Sequence, residues 1–316
     1  MLRPLGQGGN GVVYLARQLA VDRIVACKIL HPHQADDPVY VRNFVHEARL
    51  AARLEHPNII QSLDVGCRDG VYYLMMEYVP GVSLEKIRTA APERITLSFL
   101  LNISISLAEA LDHAWRTCHI FHGDIKPDNL MIRDPDGVLK LADLGLAKIV
   151  GTDDLATDIM ATPLYAAPEV ITADAGNIGI KSDIYSSGIM LYELLAGKAP
   201  FSGNIESVLR QHLEEIPPPL GKINPAVDRT FAALVDKMIS KSPADRPRDW
   251  AVIREDLLEI RKRISRDPGA GRPLRRLPEK EEMKKNLNFK HFISILFSLL
   301  LLLLAGAVAF VLFKAL

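Results

Sequence analysis

The sequence is short of cysteine and has no excess of either charge. Its 316 residues include three cysteines, Cys27, Cys67 and Cys118, at wide and unpatterned spacings, which excludes a disulfide framework or a cysteine-based zinc site. Lys plus Arg and Asp plus Glu both number 38, so net charge gives no reason to expect a nucleic-acid partner. The first eleven residues lack an apolar stretch, and we expect no secretory signal peptide there.

Charge is missing altogether from residues 292–313. As a helix this run would be about 33 Å long, enough to cross a hydrocarbon core of about 30 Å. We therefore predict a transmembrane helix at 292–313. The preceding residues 266–291 are basic and contain Pro and Gly, which is typical of a juxtamembrane linker. Their charge predicts that this side stays cytoplasmic and that the C-terminus lies across the membrane.

The rest of the chain divides into a β-rich part and a helical part. In residues 1–80, β-branched and alternating runs predict strands at 12–16, 24–30, 59–67 and 71–78. Helical spacing of apolar residues within 38–54 predicts one amphipathic helix among these strands. Pro80-Gly81 is a natural hinge. In residues 81–265 the apolar pattern predicts helices at 97–115, 183–195, 231–239 and 250–264.

Glycines are concentrated near the N-terminus, in the pattern Gly6-x-Gly8-x-x-Gly11-x-Val13. Such a loop lets backbone amides approach phosphates, because glycine has no Cβ. A dinucleotide-binding fingerprint would need a helix directly after the glycines, whereas a strand is predicted here. Lys28 follows in a β-branched strand, and a buried Lys needs an anionic partner. Glu47 on the amphipathic helix is the predicted partner.

A second concentration of chemistry-bearing residues begins at His122. Asp124, Lys126 and Asn129 lie in the stretch of eight residues that begins at His122. Asp143 follows in an Asp-Leu-Gly triplet. Phosphoryl transfer requires a carboxylate that accepts a hydroxyl proton and a Lys that neutralises phosphate charge. It also requires an amide and a carboxylate that hold the metal ion.

These motifs, in this order, resemble those of the protein kinase superfamily, and the single predicted span resembles bacterial receptor-like Ser/Thr kinases. The resemblance covers about residues 2–264. It implies an α+β fold of two lobes, a small β-rich N-lobe at 1–80 and a larger helical C-lobe at 81–265. It also implies a cytoplasmic, membrane-anchored enzyme that transfers phosphate from ATP to Ser or Thr of a protein substrate and acts in signalling.

The resemblance also assigns roles to residues. Asp124 would orient and deprotonate the acceptor hydroxyl, and Lys126 would steady the γ-phosphate. Asn129 and Asp143 would bind Mg²⁺, for which Mn²⁺ can substitute. The residues implied in nucleotide binding, from the glycine loop through the hinge to the adenine slot, are Leu5, Gly6, Gly8, Gly11, Val13, Ala26, Lys28, Glu47, Met76, Glu77, Val79 and Met131.

Further matches are structural. Glu169 in Ala167-Pro168-Glu169 is expected to pair with Arg246, and Asp183 is expected to brace the backbone of the catalytic loop. Lys126 and Thr162 are the residues that Ser/Thr kinases, rather than tyrosine kinases, carry at these places. Thr162 is expected to form a hydrogen bond near Asp124.

Two other interpretations remain open. The chain could be a catalytically weak pseudokinase, a nucleotide-binding scaffold at the membrane, although Lys28, Asp124, Asn129 and Asp143 are all present. It could also be a small-molecule kinase of related fold, which the Ala-Pro-Glu segment disfavours. Ala305 and Ala309 form a small-xxx-small pattern that would allow two spans to pair, so a homodimer is also open.

Gly123 departs from the family pattern, which has Arg there. That Arg normally pairs with a phosphate on the activation loop, and the phosphate orders the loop. The loop here, 143–169, already contains Asp153, Asp154 and Asp158, which would repel a phosphate on Thr152 or Thr157. We therefore expect a kinase that needs no loop phosphorylation and is regulated by association or by docking of the helix that carries Glu47.

Overall fold

The computed structural model describes residues 1–8, 11–134, 136–143, 148–149 and 162–265, with only the backbone at Glu47, Lys148 and Ile149. Within these residues no helix is long and apolar enough to cross a membrane. The predicted linker at 266–291 and the predicted span at 292–313 lie outside them, as do Thr152 and Thr157.

The N-terminal lobe is built on an antiparallel sheet of five strands in the order β1-β2-β3-β5-β4. The strands and the short helix that follows the third are β1 (Arg3–Gly8), β2 (Gly11–Gln18), β3 (Arg23–Leu30), α1 (Pro32–Ala35), β4 (Ser62–Arg68) and β5 (Val71–Glu77). Gly11 pairs with Leu30 at the end of the β2–β3 ladder. Its φ is +151° and a Cβ there would lie 2.0 Å from the carbonyl oxygen of Ile29, so only glycine fits.

One long helix, α2 (Pro38–Ala52), packs on this sheet. Its start follows from the sequence, because the Asp37 carboxylate accepts the N–H of Val39 at 2.8 Å and Pro38 occupies the first turn, where no N–H is needed. Phe44 and Ala48 are buried against strand residues. The amphipathic helix predicted within residues 38–54 is confirmed.

The strand predicted at 59–67 is shorter than expected. β4 begins at Ser62, and Ile59 instead forms an isolated parallel bridge to Leu141. The N–H of Ile60 donates to the carbonyl of Leu141 at 2.9 Å, and the N–H of Leu141 donates to the carbonyl of Asn58 at 2.7 Å. The C-terminal lobe therefore provides the hydrogen-bond partners of the Asn58 carbonyl and the Ile60 N–H. The chain joins the N-terminal sheet only from Ser62 onward.

The C-terminal lobe is mostly helical. Its helices are α3 (Leu84–Ala90), α4 (Leu97–Cys118), α5 (Pro168–Ile171), α6 (Ile180–Ala196), α7 (Ile205–Glu214), α8 (Leu220–Ile223), α9 (Arg229–Met238) and α10 (Trp250–Ile264). Its short strands are β6 (Gly81–Ser83), β7 (Ile120–Phe121), β8 (Leu130–Arg133), β9 (Leu139–Leu141) and β10 (Lys148–Ile149). A β-rich lobe joined to a helical lobe is the predicted fold class, which is confirmed.

Helix α6 lies at the centre of the C-terminal core, with both its apolar and many of its polar side chains buried. Helix α9 approaches it so closely that a Cβ at Gly188 would lie 2.7 Å from the Ile239 side chain and 2.8 Å from Met238 Cβ. Gly197 ends the helix in a left-handed conformation, with φ of 76°. The helix predicted at 183–195 is thus confirmed, and it begins three residues earlier.

A buried ion pair ties α5 to the segment before α10. The guanidinium of Arg246 contacts the two carboxylate oxygens of Glu169 at 2.7 and 2.9 Å, and it also donates to the carbonyls of Lys181, Ser240 and Lys241. Both side chains are almost completely buried, at 0% and 3% exposure. The predicted Glu169–Arg246 pair is confirmed.

Replacing Arg246 by Met should strongly destabilise the fold. The substitution removes the guanidinium from the buried Glu169 carboxylate, to which the Ser182 hydroxyl still donates at 2.7 Å, and from three carbonyls. Breaking such a buried pair costs about 3–5 kcal/mol. The half-exposed pair of Arg254 and Glu109, with N and O atoms 2.9 Å apart, provides the control, since Arg254→Met should cost about 1 kcal/mol or less. The measurement is urea unfolding followed by the combined fluorescence of the two tryptophans, Trp115 and Trp250. Equal losses in both variants would contradict the assignment.

Candidate active site

Asp183 of helix α6 holds the backbone of the loop that carries the predicted catalytic residues. One oxygen of this buried carboxylate accepts the N–H of His122 at 2.6 Å, and the other accepts the N–H of Gly123 at 2.8 Å. Burial raises the pKa of Asp183, while the electrostatic interaction with His122 and the hydrogen bonds from the two amides oppose this shift. Gly123 has φ of +80°, a conformation that glycine adopts without steric cost. The predicted bracing by Asp183 is confirmed.

The carboxylate of Asp124 is the centre of a local hydrogen-bond network. Lys126 Nζ contacts one of its oxygens at 2.5 Å, and the hydroxyl of Thr162 donates to the other at 2.7 Å. Lys126 also donates to Thr162 Oγ1 at 3.0 Å. The amide nitrogen of Asn129 donates to the Asp124 carbonyl at 2.8 Å and to its carboxylate at 3.1 Å. The structure therefore brings these four residues together, including the expected contact of Thr162.

Lys28 and Asp143 form the second charged pair of the site. The ammonium of Lys28, a largely buried residue, donates to Asp143 Oδ1 at 2.9 Å. Desolvation alone would raise the pKa of Asp143, but the charge and hydrogen bond of Lys28 lower it to about 2, with smaller contributions from His122 and Lys126. Because Lys126 belongs to the Asp124 network, its effect on the pKa of Asp143 shows that this network and the Lys28–Asp143 pair lie close enough to interact. The side chain of Glu47, the predicted partner of Lys28, lies outside the described residues.

The donor set at Asn129 and Asp143 fits a magnesium ion. Asn129 uses its amide nitrogen on Asp124, so its oxygen is the atom suited to a metal, and Asp143 contributes carboxylate oxygens. Magnesium prefers oxygen ligands, and in phosphoryl-transfer sites it uses one or two protein groups together with water and phosphate. Such a site needs no cluster of three or more His, Cys, Asp or Glu side chains, and the described residues contain none.

Gly6 and Gly8 of the predicted glycine loop lie on β1 with open space beside them. A Cβ at Gly6 or at Gly8 would meet no atom of the described residues within 4 Å, so packing against that part of the chain does not require glycine at either place. Open space beside a strand turn is what a bound phosphate chain would occupy. Leu5 and Gly6 lie on β1, and Val13 on β2 pairs with Lys28 on β3, which aligns the loop with the Lys28–Asp143 pair.

The predicted adenine-slot residues occupy neighbouring strands and the hinge. Ala26 on β3 pairs directly with Met76 on β5. The chain then passes through Glu77 to Val79, which is buried, before the C-terminal lobe begins. Met131 lies on β8, a strand of the C-terminal lobe. The walls of the predicted slot therefore come from both lobes, as an adenine site between them requires.

The sequence did not reveal how the hinge is fixed. Lys140 Nζ donates to Glu77 Oε2 at 2.7 Å, and Arg133 lies 4.0 Å from the other oxygen. The Lys140 side chain is 8% exposed, so the pair is mostly withdrawn from water. One signal was available, since Lys140 lies between two apolar residues in a buried strand, where a charge needs a partner. Nothing in the sequence identified Glu77 as that partner.

Comparison with known proteins agrees with this geometry. The model of the protein kinase domain family matches residues 1–257. The chain is 37% identical over 249 residues to the serine/threonine-protein kinase PrkC of Bacillus subtilis, a match that covers 78% of this chain and 38% of the relative. It is 34% identical over 266 residues to the serine/threonine-protein kinase PknB of Mycobacterium tuberculosis, covering 81% and 42%.

Solved structures show the same likeness. The crystal structure of the Mycobacterium tuberculosis PknI kinase domain superposes with a TM-score of 0.64 at 28% identity, covering 81% of this chain and 94% of that one. The chain spans about two fifths of the length of the curated relatives PrkC and PknB, so the likeness concerns their kinase regions. The family match over residues 1–257, together with the geometry of the site, establishes that the chain belongs to the protein kinase family.

Proposed function

We propose that this chain is a membrane-anchored serine/threonine protein kinase that uses ATP and Mg²⁺. The observation that carries the proposal is the Asp124 carboxylate, which is oriented by Lys126, Thr162 and Asn129 and lies near the Lys28–Asp143 pair. A hydroxyl acceptor and a phosphate chain can therefore be held on neighbouring groups, which is the arrangement that phosphoryl transfer needs.

The residues of the chain would divide the reaction as follows. Asp124 receives the proton of the substrate hydroxyl while the hydroxyl oxygen forms its bond to the γ-phosphorus and the bond to the leaving ADP breaks. Lys126 keeps a positive charge between Asp124 and the transferred group. Lys28 binds phosphate oxygens and so fixes the direction of transfer. When bound to Asn129 and Asp143, Mg²⁺ neutralises phosphate charge.

Serine or threonine is the proposed acceptor. Lys126 and Thr162 share a hydrogen bond and both contact Asp124, so the two residues that match the Ser/Thr pattern act on one carboxylate. The matched relatives are named serine/threonine-protein kinases. A pseudokinase scaffold is the alternative, but an assembled Asp124 network and a placed Lys28–Asp143 pair do not favour it.

Membrane anchoring and a role in signalling are part of the proposal. The anchoring rests on the uncharged run at 292–313 and on the seven basic residues that precede it, Arg272, Arg275, Arg276, Lys280, Lys284, Lys285 and Lys290. The signalling role rests on the resemblance to bacterial receptor-like kinases. The basic residues before the run support a cytoplasmic catalytic domain, on the side where ATP is available.

The last part of the proposal is that activity does not depend on phosphorylation of the activation loop. Gly123 supplies no cation beside Asp124, and its N–H is engaged by Asp183. A loop phosphate would therefore lack the usual partner.

Substitution of the four central residues should abolish or severely slow transfer. Asp124→Asn removes the proton acceptor and should lower kcat by about 10²- to 10⁴-fold. Lys28→Met, Asn129→Ala and Asp143→Asn should reduce transfer to the background by disturbing the phosphates and the metal. The measurement is transfer from labelled ATP with Mg²⁺ to a generic protein substrate. Asp256→Asn, an exposed carboxylate on α10, is the matched control. Full activity in Asp143→Asn would refute the assignment.

A protease should distinguish the two orientations of the chain. With a tag at each end, we expect the N-terminal tag to be protected in intact cells and digested in inverted vesicles, because the basic linker holds that side in the cytoplasm. The C-terminal tag should show the opposite pattern. Digestion of both tags on the same side would contradict a single span.

Removing the loop threonines should leave activity largely intact. We expect Thr152→Ala/Thr157→Ala protein, treated with phosphatase, to retain most of the wild-type kcat/KM, because Gly123 offers a phosphate no positive partner. Thr172→Ala, at the end of α5 and outside the loop, is the control. Thr162 is left unchanged because it contacts Asp124. A fall to a few per cent of wild type would show that loop phosphates matter.

A further inference from the structure

One imidazole joins the end of the strand that carries Lys28 to the predicted glycine loop. His31 directly follows β3, and its Nε2 lies 3.2 Å from the carbonyl oxygen of Gly8, the last residue of β1. A carbonyl oxygen only accepts hydrogen bonds, so Nε2 carries the proton and donates it. The ring of His33 stacks on this imidazole, with the ring centroids 5.4 Å apart and the planes at 17°.

The contact bridges two strands that do not pair with each other. In the order β1-β2-β3, Gly8 pairs with Gly11 at the end of one ladder, and Gly11 pairs with Leu30 at the end of the next. Since neighbouring strands lie about 4.8 Å apart, β1 and β3 are separated by about 10 Å there. The side chain of His31 therefore closes this gap past the end of β2.

The backbone that presents the imidazole is fixed on both sides. Leu30 is buried in one cluster with residues of α2, and the carbonyl of His31 accepts two backbone N–H groups from the turn of α1, at 2.9 and 3.0 Å. Lys28 lies three residues earlier on the same strand and donates to Asp143. The donor that reaches the loop thus has a fixed position relative to the Lys28–Asp143 pair.

Side-chain packing does little to hold the part of the loop that this donor reaches. All six residues of β1 are exposed, and a Cβ at Gly6 or Gly8 would meet no atom of the described residues within 4 Å. Glycine also loses more conformational freedom on ordering than any other residue. A nucleotide that binds a loose loop must provide the free energy of ordering it, whereas a loop that is already held needs less.

We propose that His31 is a positioning residue for the nucleotide, which holds the Gly8 carbonyl and so keeps the glycine loop ordered before ATP binds. The inference rests on the proposed kinase function, and it gives His31 no contact with ATP itself. Loss of the hydrogen bond should weaken the binding of ATP and of ADP. The rate of transfer at saturating ATP, which depends on Asp124 and Asp143, should stay close to that of wild type.

Three substitutions separate the hydrogen bond from the rest of the side chain. His31→Phe keeps a ring that can stack on His33 but removes the donor. His31→Gln restores a donor, because the amide nitrogen of Gln is as many bonds from Cα as Nε2 of His. His33→Phe is the matched control, since it changes the other ring of the stack, at an exposed position, and leaves the donor in place.

The first measurement is hydrogen exchange of the β1 amides in the full chain without nucleotide, followed by mass spectrometry. Exchange should be faster in His31→Phe than in wild type, and it should be at the wild-type rate in His31→Gln and His33→Phe. Because no nucleotide is present, this comparison tests the effect of the hydrogen bond on the loop independently of the proposed function. The melting temperature of each variant reports whether it is folded.

The second measurement is the split between nucleotide affinity and turnover. The Kd for ATP and ADP and the KM for ATP should rise about 2- to 10-fold in His31→Phe, the range expected for one hydrogen bond. Its kcat and its KM for a peptide substrate should stay within about twofold of wild type, because only nucleotide binding is weakened. His31→Gln and His33→Phe should match wild type in all four quantities.

Each other result overturns the proposal. Unchanged exchange and unchanged nucleotide affinity in folded His31→Phe would show that the contact does not order the loop. Equal losses of affinity in His31→Phe and His31→Gln would assign the effect to an imidazolium beside the phosphates. A fall in melting temperature together with kcat, or failure of the variants to fold, would assign His31 to the stability of the lobe. A wild-type chain that binds no ATP would refute the proposed function, and with it a role in nucleotide binding, whatever the exchange rates show.

Discussion

The interaction on which the site depends is the bond of one buried carboxylate to two backbone amides. Asp183 lies on the central helix of the larger lobe and fixes the backbone at His122 and Gly123. His122 in turn approaches the carbonyl of Ala142 with its Nε2 at 3.1 Å, one residue before Asp143. Asp124 and Asp143 are thus both positioned, directly or through one residue, from a helix that cannot shift without disturbing the core. Rigid support of this kind holds catalytic groups in a productive geometry.

Ion pairs between distant parts of the chain then join the remaining segments to this support. Lys28 connects the small sheet to Asp143. Lys140 connects the hinge residue Glu77 to the β8–β9 hairpin, which directly precedes Asp143. All the partners are at least partly withdrawn from water, and Asp143, whose side chain is 47% exposed, is the most accessible of them. The exposed carboxylate is the one that a metal ion would have to reach, whereas the buried members serve to position it.

The sequence predicted local features well and distant pairings unevenly. Helices with a strong apolar period, such as the one from Trp250 to Ile264, were located within a residue or a few, because the pattern and the caps lie in the same stretch. Glu169–Arg246 and Asp183 were found because a family pattern identified both partners. Ile59 was misassigned since its backbone partner, Leu141, belongs to the other lobe. Glu77–Lys140 was missed for the same reason, as no local pattern specifies a partner 63 residues away.

The contacts among Glu85, Arg88, Tyr165 and Glu193 illustrate this limit and also show how the site is connected. Glu85 and Arg88 are three residues apart on one helix, a spacing that predicts contact, but Glu193 and Tyr165 enter only through the fold. Thr162 contacts the catalytic carboxylate at one end of a single 3₁₀ turn, and Tyr165 contacts Glu193 at the other. The turn therefore joins the carboxylate that is proposed to accept the proton to a side chain of helix α6. Residues 162–165 thus connect the catalytic loop to helix α6 a second time, in addition to the contacts that Asp183 makes.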